Sequence, residues 1–268
     1  MKRQSRIEQQ GRTAAKGITL RDRRMAMKAF GGGALALFAC GGTGLDDLTD
    51  AGSDAGGTPG TGGTTGIDTG TPASCTVAPT ETIGPYPDKT GMLTNAAYHR
   101  RDITEGRAGL PLDVVLSIVN KNAACAAIPD AAVIVWQCDA DGHYSEYGNQ
   151  PGGYDGTGAT YLRGVQTSDT NGQVTFRTIY PGWYQGRATH IHIQVFINGV
   201  SKMITQLAFP ETVTAGVYAT GVYAAKGNNP QSNASDMVFA DSLAEELANL
   251  TGDTTAGYTA TLTIGLAL

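Results

Sequence analysis

Apolar residues in this chain gather in short alternating runs rather than in long helical stripes. Six runs stand out: LDVVLSIVN (112–120), AAVIVWQC (131–138), GQVTFRTI (172–179), THIHIQVFI (189–197), KMITQLAF (202–209) and YTATLTIGLAL (258–268). Each is rich in Val, Ile, Thr or aromatic residues, and turn clusters such as NKNAACAAIPD, DADG and SDTNG separate them. That composition and spacing predict strands. The expected architecture is all-β, an antiparallel β-sandwich, with long loops at 139–165 and 210–234 where the rhythm breaks. One short helix is predicted over 235–249, with Ser235 as its cap. There is no internal repeat, and no glycine-rich phosphate loop opens a helix.

The first quarter of the chain follows other rules. Residues 1–28 carry Lys2, Arg3, Arg6, Arg12, Lys16, Arg21, Arg23, Arg24 and Lys28 against only Glu8 and Asp22. AFGGGALALFAC (29–40) follows, apolar but too short to span a bilayer. A basic region before a short apolar run reads as an export signal. DRRMAMK (22–28) resembles the twin-arginine motif, with Arg23 and Arg24 as the pair. LFAC (37–40) resembles a lipoprotein cleavage box, in which Cys40 would take the lipid; this is the only membrane contact the chain suggests. A segment rich in Gly and Thr comes next and has little to bury, so 41–74 reads as a tether. The expected organisation is therefore a signal over 1–40, a tether over 41–74 and one domain over 75–268, exported to the periplasm, cell surface or exterior.

Removing the signal changes the charge. Of 19 basic and 24 acidic residues, nine and two lie in 1–28, leaving 10 against 22, or −12. No basic footprint for nucleic acid remains. In an oxidising compartment Cys75, Cys125 and Cys138 could form a disulfide. Cys125 and Cys138 lie at opposite ends of one predicted strand, too far apart to pair, which favours Cys75 with one of them. A homo-oligomer is compatible with the sequence.

Candidate chemistry concentrates in YPGWYQGRATHIHIQVF (180–196). Strand side chains alternate, so His190 and His192 share one face while Ile191 and Ile193 share the other. Such a pair is either structural, each ring bonded to backbone, or converges on one metal ion. No carboxylate follows at the spacing of a facial triad, and no CxxC is present for zinc. Tyrosines offer the better complement: Tyr184 in the turn before the histidines, and Tyr144 in GHYS after the strand 131–138. A phenol has an ordinary pKa near 10, so phenolate ligation wants a strongly Lewis-acidic ion. Ferric iron meets that demand; zinc and magnesium meet it poorly.

WQCDADGHYS, TYLRGVQTSDTNGQVTFRTIYPGWYQGRATHIHIQVF and ITQLAFP, in this order, resemble the intradiol ring-cleavage dioxygenases, with the resemblance running from TETIGPYP (80–87) to the C-terminus. It implies a ferric, Fe(III), centre held by Tyr144, Tyr184, His190 and His192. Tyr147 and Tyr180 are the rivals to the two tyrosines, and His143 and His99 are expected to be ordinary polar residues. Arg187 matches the family's active-site arginine, which steadies negative charge on the ring, and Gln206 matches a glutamine on the oxygen-binding side. Gly84, Pro85 and Tyr86 match a segment that closes over the substrate. Gln137 stands where exported members tend to have His, and Ala208 where they have an aromatic; both changes bear on substrate fit. The activity implied is opening of a catechol-type ring between its hydroxyls by O2, giving a cis,cis-muconate-type diacid. The alternatives are a secreted β-sandwich binding module that has lost catalysis, and a metal hydrolase with a carboxylate ligand.

Overall fold

In the computed structural model, which describes residues 76–268, the alternating runs become the strands of two facing sheets. The signal with Arg23 and Arg24, Cys40, the tether and Cys75 lie outside the described residues. Among the described residues no helix is long and apolar enough to cross a membrane.

One sheet is built on β1 (Pro111–Asn120), which pairs with the two-residue β2 (Ala126–Ala127), with β5 (Gln173–Ile179) and with β9 (Gly257–Leu266); β8 (Asn249–Asp253) completes it beside β9. The other has the order β4-β3-β6-β7, from β4 (Arg163–Thr167), β3 (Ala132–Trp136), β6 (His190–Ile197) and β7 (Val200–Ala208). The sandwich is as expected in class, but not wholly antiparallel: β1 and β9 run parallel, from Leu112 beside Tyr258 to Asn120 beside Leu266. Such a pair cannot be closed by a hairpin, and here residues 121–256 lie between its two strands.

Between the sheets lies the main core. Val114, Leu116 and Ile118 from β1 meet Val133, Val135, Ile191, Ile193 and Val195 from the other sheet, all buried. Each side chain so buried contributes about 1.5–3 kcal/mol relative to exposure. The β4-β3-β6-β7 sheet is buried on its far face as well: β3 is apolar on both sides, and Ile134 and Trp136 point away from the sandwich into a second cluster with Tyr144, Cys138 and Val165. Loops cover that second face.

Three expectations need correction. β4 lies partly within the stretch read as loop; Arg163 and Gly164 hide it, and Gly164 is required because a Cβ there would lie 2.5 Å from Ile103 Cγ2. The 210–234 loop contains a helix, α1 (Glu211–Tyr218), which buries Thr214, Val217 and Tyr218 at helical spacing behind Pro210. The helix expected over 235–249 shrinks to one turn, α2 (Leu243–Glu246), followed by β8. Its predicted start fails because Asp236 is extended (φ −79°, ψ 122°), its side chain bonded to Arg187 and the Val238 amide; Ser235 instead ends a 3-10 turn over Asn233–Ser235 that Ser232 caps. Cys125 is disulfide-bonded and Cys138 is a buried free thiol, so these two do not pair with each other.

Candidate active site

The second face of the β4-β3-β6-β7 sheet carries the candidate chemistry. In β6, Ile191 and Ile193 enter the main core, which turns His190 and His192 to the loop-covered side. Both rings are buried. His190 Nδ1 donates to the Ala188 carbonyl at 2.6 Å, which leaves Nε2 with its lone pair free. That Nε2 lies 3.2 Å from His192 Nε2 and 3.1 Å from Tyr184 Oη. His192 is held differently: its ring stacks on Trp136, centroids 4.7 Å apart and planes at 4°, and its Nδ1 has no hydrogen-bond partner. Trp136 is its cross-strand partner in the β3–β6 register.

Tyr144 arrives from the loop after β3. Its ring lies 5.8 Å from that of Tyr184, centroid to centroid, and its buried hydroxyl has no hydrogen-bond partner. An orphaned hydroxyl in a packed interior costs about 1–3 kcal/mol. His190 Nε2 offers a single lone pair, yet His192 Nε2 and Tyr184 Oη both stand within hydrogen-bond reach of it, so as neutral groups only one of the two can donate to it. A cation among these four donors would resolve both problems.

The electrostatics keep the imidazoles neutral. Burial, reinforced by the Arg187 charge, pushes the His190 pKa down to about 3. Burial does the same to His192, aided by His190 and Arg187. Burial pushes Tyr184 up to about 12, against the pull of Arg187, and Tyr144 well above its ordinary value. Without a cation the phenols stay protonated, so a metal would have to displace their protons.

The other expected residues surround this centre. Arg187 Nη2 donates to Gln206 Oε1 at 2.6 Å, and Gln206 stands opposite His192 in the β6–β7 register, on the same face. Gln206 Nε2 donates to the Thr82 carbonyl, tying in the strap that carries Gly84, Pro85 and Tyr86. Gly84 (φ +77°) presses its backbone onto His192: a Cβ there would lie 2.7 Å from His192 Cε1. Tyr86 stacks on Tyr144 with centroids 4.6 Å apart. Pro85 joins Gly84 to Tyr86 along the strap.

The rivals fall away on their own bonds. Tyr147 Oη donates to the Pro87 carbonyl, and Tyr180 Oη is bonded to Thr214 inside the main core. His143 stacks on Tyr154, and exposed His99 bonds the Leu93 carbonyl. Asp139, Asp141 and His143 bring ligand-type atoms within 4.8 Å of one another, but Asp139 is ion-paired with Arg107 and bonds the amides of Asp141 and His143, which fastens the loop. Gln137 is satisfied by Ile179 and Thr178, and Ala208 packs against Phe239.

Sequence reading missed several supporting residues. Trp136 was legible only as a strand residue, since its stacking depends on the register with β6. Arg163, buried with Glu146, bonds Ser145 and the Tyr86 carbonyl, joining the Tyr144 loop to the strap. Asp236, 1% exposed, pairs with Arg187 from 49 residues away, and no local signal announces it.

No family model matches the chain. It is 28% identical over 127 residues to a 6-chlorohydroxyquinol 1,2-dioxygenase of Cupriavidus pinatubonensis, a match covering 41% of this chain and 43% of that enzyme, so less than half of that curated relative is spanned. Among solved structures, the fold is similar to an intradiol ring-cleavage dioxygenase from Tetranychus urticae (TM-score 0.65, 28% identity, 72% of this chain and 95% of that one). It is also similar to the dioxygenase domain of a dioxygenase–carbohydrate-binding fusion from Streptomyces sp. SirexAA-E (TM-score 0.52, 27% identity, 72% and 99%). Sequence and fold agree in their likeness: the chain is similar to intradiol ring-cleavage dioxygenases.

Proposed function

We propose that this chain is a non-haem ferric dioxygenase that opens a catechol-type ring between its two hydroxyls and yields a cis,cis-muconate-type diacid. The observation that carries this reading is that His190 Nε2 lies 3.1 Å from Tyr184 Oη and 3.2 Å from His192 Nε2, beside the orphaned Tyr144 hydroxyl. Two neutral imidazoles with two phenols suit a ferric ion, because only a strongly acidic cation pays to ionise phenols buried this well. Bound among these donors, the ion would supply Lewis acidity and a template for both substrate oxygens. Both atoms of O2 enter the product, so no external reductant is needed.

The chain's own residues divide the remaining work. Tyr184 is the less buried phenol, and its Oη is placed to hold a proton taken from an incoming catechol. Tyr86, stacked on Tyr144, and the Gly84 backbone against His192 form a flat wall that an aromatic ring can lie along while water is excluded. Arg187 sets fixed positive charge beside the histidines, where negative charge would develop on the ring.

We further propose that residues 1–40 direct export by the twin-arginine route, with Cys40 as a lipid site, and that 41–74 tether a catalytic domain over 75–268. The support is the sequence pattern: Arg23 and Arg24 before a short apolar run. Changing both arginines to lysine should hold the protein in the cytoplasm on fractionation; unchanged export would remove this reading.

The decisive experiment is the visible spectrum of the purified, iron-loaded protein before and after anaerobic catechol. A broad tyrosinate-to-iron band moving to longer wavelength, followed by muconate-type product once air is admitted, is the expected result. A protein that stays colourless after reconstitution with iron would sink the proposal and favour a binding module.

A further inference from the structure

Asp236 belongs to no regular strand or long helix, yet its buried carboxylate accepts four hydrogen bonds, three of them from Arg187 and Ala188 beside the site and one from the Val238 amide of its own segment. Oδ1 accepts from Arg187 Nε at 3.1 Å and from the Val238 amide at 2.9 Å. Oδ2 accepts from Arg187 Nε at 2.9 Å and from the Ala188 amide at 2.6 Å. Ala188 is also the residue whose carbonyl accepts from His190 Nδ1 at 2.6 Å. One carboxylate therefore touches the arginine directly and reaches the histidine through a single residue. Three positions further on, Phe239 lies under the Arg187 guanidinium at 5.7 Å and edge-on to His190 at 6.5 Å between centroids. The segment 236–239 thus walls one side of the centre.

We propose that Asp236 is the positioning residue shared by Arg187 and His190. With Nε held by Asp236 and Nη2 by Gln206, the guanidinium has one orientation, and among the described residues nothing accepts from Nη1. That leaves Nη1 as the edge available to substrate. By fixing Ala188, the same carboxylate keeps the carbonyl where it holds the His190 proton on Nδ1, so that Nε2 faces the other donors. An outer carboxylate of this kind sets both the tautomer and the angle of the ring it supports. The arginine's part in the reaction rests on the dioxygenase reading above; the positioning itself does not.

The test uses the full-length protein in two forms. In the metal-free form, the Nε–H resonance of Arg187, assigned by its loss in Arg187→Lys, should be sharp and protected from solvent exchange at neutral pH. Asp236→Asn should broaden it. In the iron-loaded form, Asp236→Asn should lower kcat for catechol about 10–100-fold with little change in KM, and Asp236→Glu should recover part of the loss. The double variant Arg187→Ala/Asp236→Asn should be no slower than Arg187→Ala alone, since the two residues act as one unit. Effects that multiply independently would overturn the proposal, as would a fast-exchanging Arg187 Nε–H in the wild-type protein. The wild-type resonance decides even if Asp236→Asn does not fold. If iron loads but catechol is not turned over, the dioxygenase reading fails while the resonance still tests the positioning.

Discussion

The two faces of the β4-β3-β6-β7 sheet are made by the same strands and obey different rules. The face toward the other sheet is filled by Val133, Val135, Ile191, Ile193 and Val195, which carry no polar side-chain atoms. The opposite face presents Trp136, His190, His192 and Gln206 under a cover of loops, and it leaves the Tyr144 hydroxyl, Trp136 Nε1 and His192 Nδ1 unsatisfied. Dispersion and apolar burial hold the first face, which is forgiving about where its atoms sit to within a rotamer. The second is held by directional bonds from residues distant in sequence, and under the proposed function small displacements there should cost activity before they cost stability. Adjacent residues of one strand, Ile191 and His192, thus belong to two different energetic regimes.

Substitutions on the two sides should separate these regimes. The largest effect is expected from His192→Ala: metal affinity and turnover should fall by more than about 100-fold, beyond the range for an outer-layer partner. Its thermal midpoint should barely move, and a calorimetric scan beside a metal titration checks both. Ile193→Ala, one position along, should reverse the pattern. It should lose about 2–5 kcal/mol of stability, read by urea denaturation, while turnover per folded, metal-loaded molecule stays near that of wild type. If both variants lost both properties together, the distinction between the faces would be wrong.

Gly84→Ala should fall between them. Its Cβ would meet His192 Cε1 at 2.7 Å from a left-handed backbone, so either the strap or the ring must shift. A stability loss of about 1–3 kcal/mol is expected together with weaker metal binding, measured by competition with a chelator.

The smallest effect concerns the edge of the second face. Glu246 is buried, accepts bonds from Ser242 and the Gln206 amide, and has its pKa pushed up to about 8 by burial and then by Glu81. A carboxyl whose folded pKa is raised stabilises fully below its unfolded value, near 4.5, and that contribution is lost as pH rises toward 8. The urea midpoint should therefore decline between pH 5 and 8 in the wild-type protein and decline less in Glu246→Gln. Glu81, raised by burial and by Asp241, acts with the same sign. Parallel profiles for the two proteins would show that Glu246 does not carry the dependence.

Much of this was legible in short windows of sequence. The two-residue period of THIHIQVFI places both histidines on one face, because alternation is a property of the strand itself. PGWY six residues before His190 keeps Tyr184 near by chain connectivity alone, and six of the strands announce themselves by β-branched composition. The weaker elements did not: β4 opens with Arg163 and Gly164, and the 235–249 stretch has helical composition but gives up its first turns to the bonds of Asp236. Local propensity, at a few tenths of a kcal/mol per residue, yields to a buried ion pair and its amide bonds.

Sequence alone therefore determined the class of fold, the shared face of His190 and His192, and the residue types able to hold a cation. Only the tertiary structure decided that β9 runs parallel to β1, that Trp136 stacks on His192, that the Gly84–Tyr86 strap closes against the site and that Asp236 grips Arg187. The first group depends on spacings of a few residues, which the backbone period fixes wherever the segment lies. The second depends on which distant segments meet, and that choice belongs to the summed burial and bonding of the whole domain.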